Sequence, residues 1–259
     1  MALKVFITGA SSGIGEALAV YYAAQGATLG LAARRADFLD GLNTRLGGAH
    51  ATYALDVCDA PALHAAAGDF IARHGAPDIV IANAGVSAGT LTECEEDLAA
   101  FRRVMDTNVY GMAATFAPFI KAMQAAGGRG KLQRLVGIAS VAGIRGLPGA
   151  EAYSASKAAA IAYLESLRLE MQPCGIKVVT IAPGYIATPM TAVNPYKMPF
   201  LLPADQAAVR FARAIARGAS YAVIPWPMGV VAKLLRALPN WLYDALFQRA
   251  PRKPRGLLK

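Results

Sequence analysis

A chain of 259 residues, 55% of them apolar, is long enough to bury a sizeable core as one α/β domain. Its formal net charge is +9, and its three cysteines (Cys58, Cys94, Cys174) and three histidines (His50, His64, His74) are scattered without metal-ligand spacing, so no metal is expected. A first strand beginning at residue 3 or 4 leaves no room for a secretory signal peptide, and a reducing, cytoplasmic location is expected.

Lys4-Val5-Phe6-Ile7-Thr8 reads as a short apolar strand running straight into Gly9-Ala10-Ser11-Ser12-Gly13-Ile14-Gly15. A helical pattern follows through Leu18, Tyr21, Tyr22 and Gln25 and ends at Gly26. Strand, glycine turn and helix make a dinucleotide-binding start. Glycines allow a tight turn and close backbone approach to a pyrophosphate, and the free N–H groups of the helix N-terminus attract its charge. The spacing here is Gly-x-x-x-Gly-x-Gly. The second strand, Thr28 to Ala33, is followed by Arg34 and Arg35. An NAD-binding chain of this fold carries an acid there for the ribose 2′-hydroxyl, whereas a guanidinium binds a 2′-phosphate through charge-assisted hydrogen bonds. NADP(H) is therefore the expected cofactor.

Further helices are expected around residues 36–46, 61–74, 95–125, 152–172 and 204–217. Ile79 to Ala82 and Val178 to Ala182 read as strands buried on both faces, which belong to parallel sheets. The repeated βα alternation predicts an α/β fold of Rossmann type: a doubly wound parallel sheet in a single domain over 1–225, with a C-terminal helical extension over 226–259. Within the first part, Tyr153 and Lys157 share a helix face at i and i+4, which sets the ammonium beneath the phenol. A cation there lowers the phenol pKa toward the working range, and a hydroxyl such as Ser140 holds the oxygen whose proton moves.

With both motifs in hand, the chain resembles the short-chain dehydrogenase/reductase family in its short single-domain branch, over roughly residues 3 to 225. By that resemblance, Thr8 to Gly15 is the cofactor loop and Asp56-Val57, at the end of the third strand, contacts adenine. Asn83-Ala84-Gly85 matches the turn after the fourth strand, although the family more often has Asn at the position of Ala82. Asn108 resembles the active-site Asn and supports a water linking Lys157 to solvent. Ser140 resembles the residue that positions the substrate oxygen, Tyr153 the acid/base, and Lys157 the residue that lowers its pKa and holds the nicotinamide ribose. Pro183-Gly184-Tyr185-Ile186-Ala187-Thr188 resembles the segment around the nicotinamide carboxamide, with the contacts falling on Pro183, Gly184, Ile186 and Thr188. The proline-rich stretch 188–203 corresponds to a mobile lid. The implied activity is NADP(H)-dependent interconversion of a carbonyl and an alcohol. Met190, Val193, Tyr196, Met198, Phe200, Leu201 and Leu202 in the lid favour an apolar or amphipathic small-molecule substrate.

Two other readings share parts of this pattern. Nucleotide-sugar epimerases and dehydratases also carry Tyr-x-x-x-Lys, but with Gly-x-x-Gly-x-x-Gly and a longer substrate domain, neither of which is present. A dinucleotide sensor or scaffold often lacks a catalytic residue, and all four are here. Residues 226–259 hold seven bases and one acid, +6 of the net +9, beside Trp241, Leu242, Leu246 and Phe247. No apolar run there can span a bilayer. The extension is expected either to dock peripherally on anionic lipid at the inner face of a membrane or to pack on a neighbouring subunit of a homo-oligomer, a dimer or tetramer. No nucleic-acid partner is expected, because the basic excess is confined to a tail beside apolar residues.

Overall fold

The computed structural model describes residues 2–127 and 132–257. Seven parallel strands form the sheet: β1 (Lys4–Thr8), β2 (Thr28–Ala33), β3 (Ala51–Ala54), β4 (Ile79–Ala82), β5 (Arg134–Ile138), β6 (Lys177–Pro183) and β9 (Tyr221–Ile224). Their spatial order is β3-β2-β1-β4-β5-β6-β9. In the sequence between β6 and β9, β7 (Ile186–Ala187) and β8 (Leu202–Pro203) form a separate two-stranded ribbon.

Side chains alternate across a strand, so each strand feeds both faces of the sheet. Val5, Ile7, Leu29, Leu31, Ile81, Val136 and Val179 point to the face covered by α1 (Gly13–Ala24), α2 (Ala36–Arg45) and α8 (Ala204–Arg217). Phe6, Val80, Leu135 and Val178 point the other way, toward α3 (Ala60–His74), α5 (Gly111–Ala126) and α6 (Glu151–Met171). Phe6 anchors that second layer with ring centroids 4.7 Å from Phe119 and 5.6 Å from Phe70. Burial on both sides is why these strands read as unbroken apolar runs. β1 neighbours both β2 and β4, so the chain winds outward in opposite directions from that pair. This is the switch point, and the loops at the carboxyl ends of the strands there open a crevice.

The expected helix over 95–125 is interrupted. α4 (Asp97–Met105) and α5 are joined by a π-helical turn, Asp106–Tyr110, in which Asn108 is fully buried. An i→i+5 turn inserts an extra residue into the helical path, and here the inserted turn carries Asn108 inward. β3 likewise ends at Ala54, two residues before Asp56. In the lid stretch, α7 (Pro189–Ala192) follows β7. α9 (Trp226–Ala237) and α10 (Asn240–Phe247) follow β9. Among the described residues, no helix is long and apolar enough to cross a membrane.

Candidate active site

The crevice is built on the glycine loop after β1. Gly9 has φ +68°, and a Cβ there would stand 2.8 Å from Ala84 Cα; one on Gly15 would stand 2.2 Å from the Gly9 carbonyl oxygen. The loop is therefore closed to side chains at both positions and lies against the turn after β4. Asn83 fixes that contact: its Nδ2 donates to the Thr8 carbonyl at 3.0 Å and the Gly9 carbonyl at 3.1 Å, while Thr8 Oγ1 accepts from the Asn83 and Ala84 amides. α1 starts at Gly13 with no side-chain cap from Ser12, which leaves its first-turn amides free for an anion.

Gly9, Ser11, Ser12, Gly13, Ile14, Arg34, Arg35, Asp56, Val57, Asn83, Ala84, Gly85, Ser140, Tyr153, Lys157, Pro183, Gly184, Ile186 and Thr188 all line this single crevice. Two expected residues do not. Gly15 lies behind the loop, and Asn108 lies beneath the floor. The Asn108 amide donates to the Val86 carbonyl at 3.0 Å and Ser156 Oγ at 2.9 Å, and its Oδ1 accepts from the Val86 amide at 2.8 Å. Its side chain thus ties the loop after β4 to α6.

At the β2 end of the crevice, Arg35 donates to Ser11 Oγ at 3.2 Å and its guanidinium covers the Phe38 ring at 3.9 Å. Arg34 is exposed, lines the crevice and makes no hydrogen bond among the described residues. Asp56 accepts from the Cys58 amide at 3.0 Å and pairs with Arg103 at 3.1 Å. Burial works to raise that carboxyl, but the Cys58 hydrogen bonds and the charges of Arg103 and Arg34 hold it below the usual carboxylate range.

At the opposite end, Ser140 follows β5, its Oγ accepting from the Ala142 amide at 3.1 Å. Tyr153 and Lys157 lie on the first turns of α6. Lys157 Nζ donates to the Ile138 carbonyl at 2.9 Å and stands 5.7 Å from the Tyr153 ring centroid. Burial lowers the ammonium to about 8. The expected lowering of the Tyr153 phenol is not found in the protein's own surroundings. Burial pushes it up, opposed by the hydrogen bond with Ser140. Helical spacing correctly places the pair on one face, but the sign of the shift is set by desolvation, which spacing does not report.

Several residues around the site carry no sequence signal of their own. Thr191 Oγ1 donates to the Ile186 carbonyl at 2.6 Å and accepts from the Thr188 amide at 3.1 Å, which fastens α7 to β7. Ser156, the partner of Asn108, sits inside the Tyr-Ser-Ala-Ser-Lys segment but is fully buried, bonded to Asn108.

The chain after α10 folds back over this end of the molecule as a strap. Arg255 donates to Asp97 at 2.6 Å and Glu96 at 2.7 Å, and the Gly89 amide donates to the Pro254 carbonyl at 2.9 Å. Lys253 Nζ reaches the carbonyl of Met190, which lines the crevice, at 3.3 Å. These contacts hold part of the extension against its own chain rather than leaving it free for a partner. Lys259 lies outside the described residues. Arg255→Ala is expected to release the strap, because it strips the buried Asp97 of its cation; hydrogen exchange of the Gly89 amide should quicken about tenfold or more. Unchanged exchange at Gly89 would show that the strap is held by other contacts.

A doubly wound α/β fold with a glycine-loop crevice at its switch point and a Ser-Tyr-Lys cluster at one end defines a dinucleotide-binding class of protein. Residues 3–198 match the family model described as short chain dehydrogenase, and the chain belongs to the short-chain dehydrogenase/reductase family of oxidoreductases, which bind a nicotinamide cofactor. It is 37% identical over 246 residues to an uncharacterized oxidoreductase of Myxococcus xanthus (strain DK1622), covering 94% of this chain and 95% of that one. It is 34% identical to 11-beta-hydroxysteroid dehydrogenase-like 2 of Arabidopsis thaliana, covering 94% and 81%. Among solved structures, the 3-ketoacyl-(acyl-carrier-protein) reductase from Brucella melitensis complexed with NADH superposes with a TM-score of 0.77 at 26% identity, covering 86% and 96%.

Proposed function

We propose that the protein is an NADP(H)-dependent oxidoreductase that interconverts a carbonyl and an alcohol on an apolar or amphipathic substrate. The observation that carries this reading is the convergence of Ser140, Tyr153 and Lys157 in the same crevice as the glycine loop and Arg34. The cofactor fits on structural grounds: a cradle closed to side chains at Gly9, free first-turn amides on α1, and Arg34 in the crevice lining. When bound, the nicotinamide supplies or accepts the hydride.

The chain's residues handle the proton. A phenol raised by burial carries its proton at neutral pH, so Tyr153 holds a proton that can pass to a carbonyl oxygen. Ser140 lines the same crevice and its hydroxyl works to lower the phenol's pKa, so it is placed to offer the second contact that holds the oxygen. After transfer the phenolate needs a counter-charge, and Lys157 stands close enough to supply it. Asn108 serves as a positioning residue, since its side chain bridges Val86 and Ser156 beneath the floor of the crevice.

The apolar lid supports the substrate class. Tyr196 packs against Tyr185 with centroids 6.4 Å apart, and its hydroxyl is pushed up to about 12 by burial and by the neighbouring Tyr185 and Tyr153. The lid thus lays an aromatic ring near the proton donor.

The charge on Lys157 sets the pH dependence. Below about 8 its ammonium is charged; above that value it is neutral and the phenolate loses its counter-charge. Carbonyl reduction is therefore expected to be level through neutral pH and to fall as pH rises past about 8. A pH profile of kcat/KM checks this, and a rate that keeps rising into strong alkali contradicts it.

A further inference from the structure

Both tryptophans of the chain stand on the surface of its last two helices: Trp226 is 74% exposed and Trp241 72%. Leu234 of α9 and Leu246 of α10 are exposed as well. Trp226, Val230 and Leu234 recur every four residues and so form one stripe along α9, while Met228 and Ala232 pack inward. A soluble surface seldom displays large apolar side chains as a set unless something covers them.

The charges around the stripe are largely free. Lys233, Arg236, Arg249 and Arg252 are exposed, whereas Arg255 is committed to Asp97 and Glu96 and Lys253 to the Met190 carbonyl. Asp244 is the one acid of residues 226–259. The corner between α9 and α10 is fixed by Arg145, which donates to the Leu235 carbonyl at 2.9 Å, the Leu238 carbonyl at 2.8 Å and Asn240 Oδ1 at 3.1 Å, and covers the Tyr243 ring at 4.1 Å. The stripe is therefore presented on a built scaffold.

That scaffold adjoins the crevice. A Cβ on Gly184, which lines the crevice, would meet Met228 of α9 at 2.7 Å. In the lid, Met190, Val193, Phe200 and Leu201 are exposed as well. Aromatic and aliphatic side chains flanked by Lys and Arg, on helices too short to span a bilayer, match the composition of segments that lie in a lipid interface.

We propose that the α9–α10 face docks on an anionic lipid surface and brings the mouth of the crevice to the membrane from which an apolar carbonyl substrate partitions. The docking stands on the surface alone, and only the substrate clause rests on the proposed reductase activity. A second copy of the chain fits this face poorly. A two-fold contact sets a patch against itself and would bring Lys233, Arg236 and Arg249 toward their own counterparts. An anionic bilayer complements the same charges.

Because the chain's two tryptophans both lie here, the intrinsic fluorescence of the whole protein reports the contact directly. With vesicles of phosphatidylglycerol and phosphatidylcholine at low salt, emission is expected to shift to the blue and the protein to co-sediment. Pure phosphatidylcholine should give much less of both, and added salt should weaken binding. Lys233→Gln and Arg236→Gln should each lower partitioning about fivefold. Trp241→Ala should lose co-sedimentation while keeping its melting temperature. No shift and no co-sedimentation with anionic vesicles overturns the proposal. So does equal binding to neutral vesicles, and so does a blue shift that follows protein concentration without lipid and accompanies a doubled mass, which would assign the face to a second copy. Docking without turnover of any carbonyl would sink the reductase reading and leave the docking intact.

Discussion

Tyr153→Phe is expected to lower turnover by about 10² or more while NADPH still binds. The phenyl ring keeps its packing on α6, and Ser140 and Lys157 keep their own main-chain contacts with Ala142 and Ile138, so the change removes a proton and little else. Steady-state rates with a responsive ketone, together with an NADPH titration, separate the two effects. Near wild-type turnover would remove Tyr153 from the chemistry. Lys157→Ala should cost affinity as well as rate, because the resemblance assigns that residue both the phenol and the nicotinamide ribose.

Arg34→Gln is expected to weaken NADPH binding about ten- to a hundredfold and leave NADH binding nearly unchanged, since one charge-assisted contact to the 2′-phosphate is lost. Arg34 is the better choice of the two arginines. Arg35 is already engaged by Ser11 and Phe38, whereas Arg34 makes no hydrogen bond among the described residues and Asp56 is paired with Arg103. Parallel titrations with both cofactors check the difference. Equal losses, or a wild-type preference for NADH, would reduce Arg34 to a surface charge.

The sheet was legible because a strand covered on both faces leaves an unbroken apolar run, as in Ile79 to Ala82, and because the glycine loop announces its own turn. The site was legible where one local motif carries several residues, as Tyr153 and Lys157 do. Features made by distant partners were not. Nothing near Arg255 in sequence points to Asp97, which lies 158 residues away, so the strap could not be read from the extension's composition. The π turn was hidden because apolar helical patterns continue on both sides of it. The partners of Asn108, Val86 and Ser156, lie 22 and 48 residues away and were likewise not legible from its own segment. The phenol of Tyr153 illustrates the limit of spacing most clearly: the cation is where i and i+4 put it, yet burial decides the direction of the shift.

The most direct test of the central claim is isotope transfer. NADPH deuterated at the transferable position of nicotinamide C4 is incubated with the protein and a panel of apolar ketones, and the alcohols are examined by mass spectrometry. Deuterium on the carbinol carbon, present with the wild-type protein and lost with Tyr153→Phe, is the expected result. A protein that binds NADPH tightly yet delivers no deuterium to any ketone in the panel would contradict the account and make the crevice a cofactor-binding site without this chemistry.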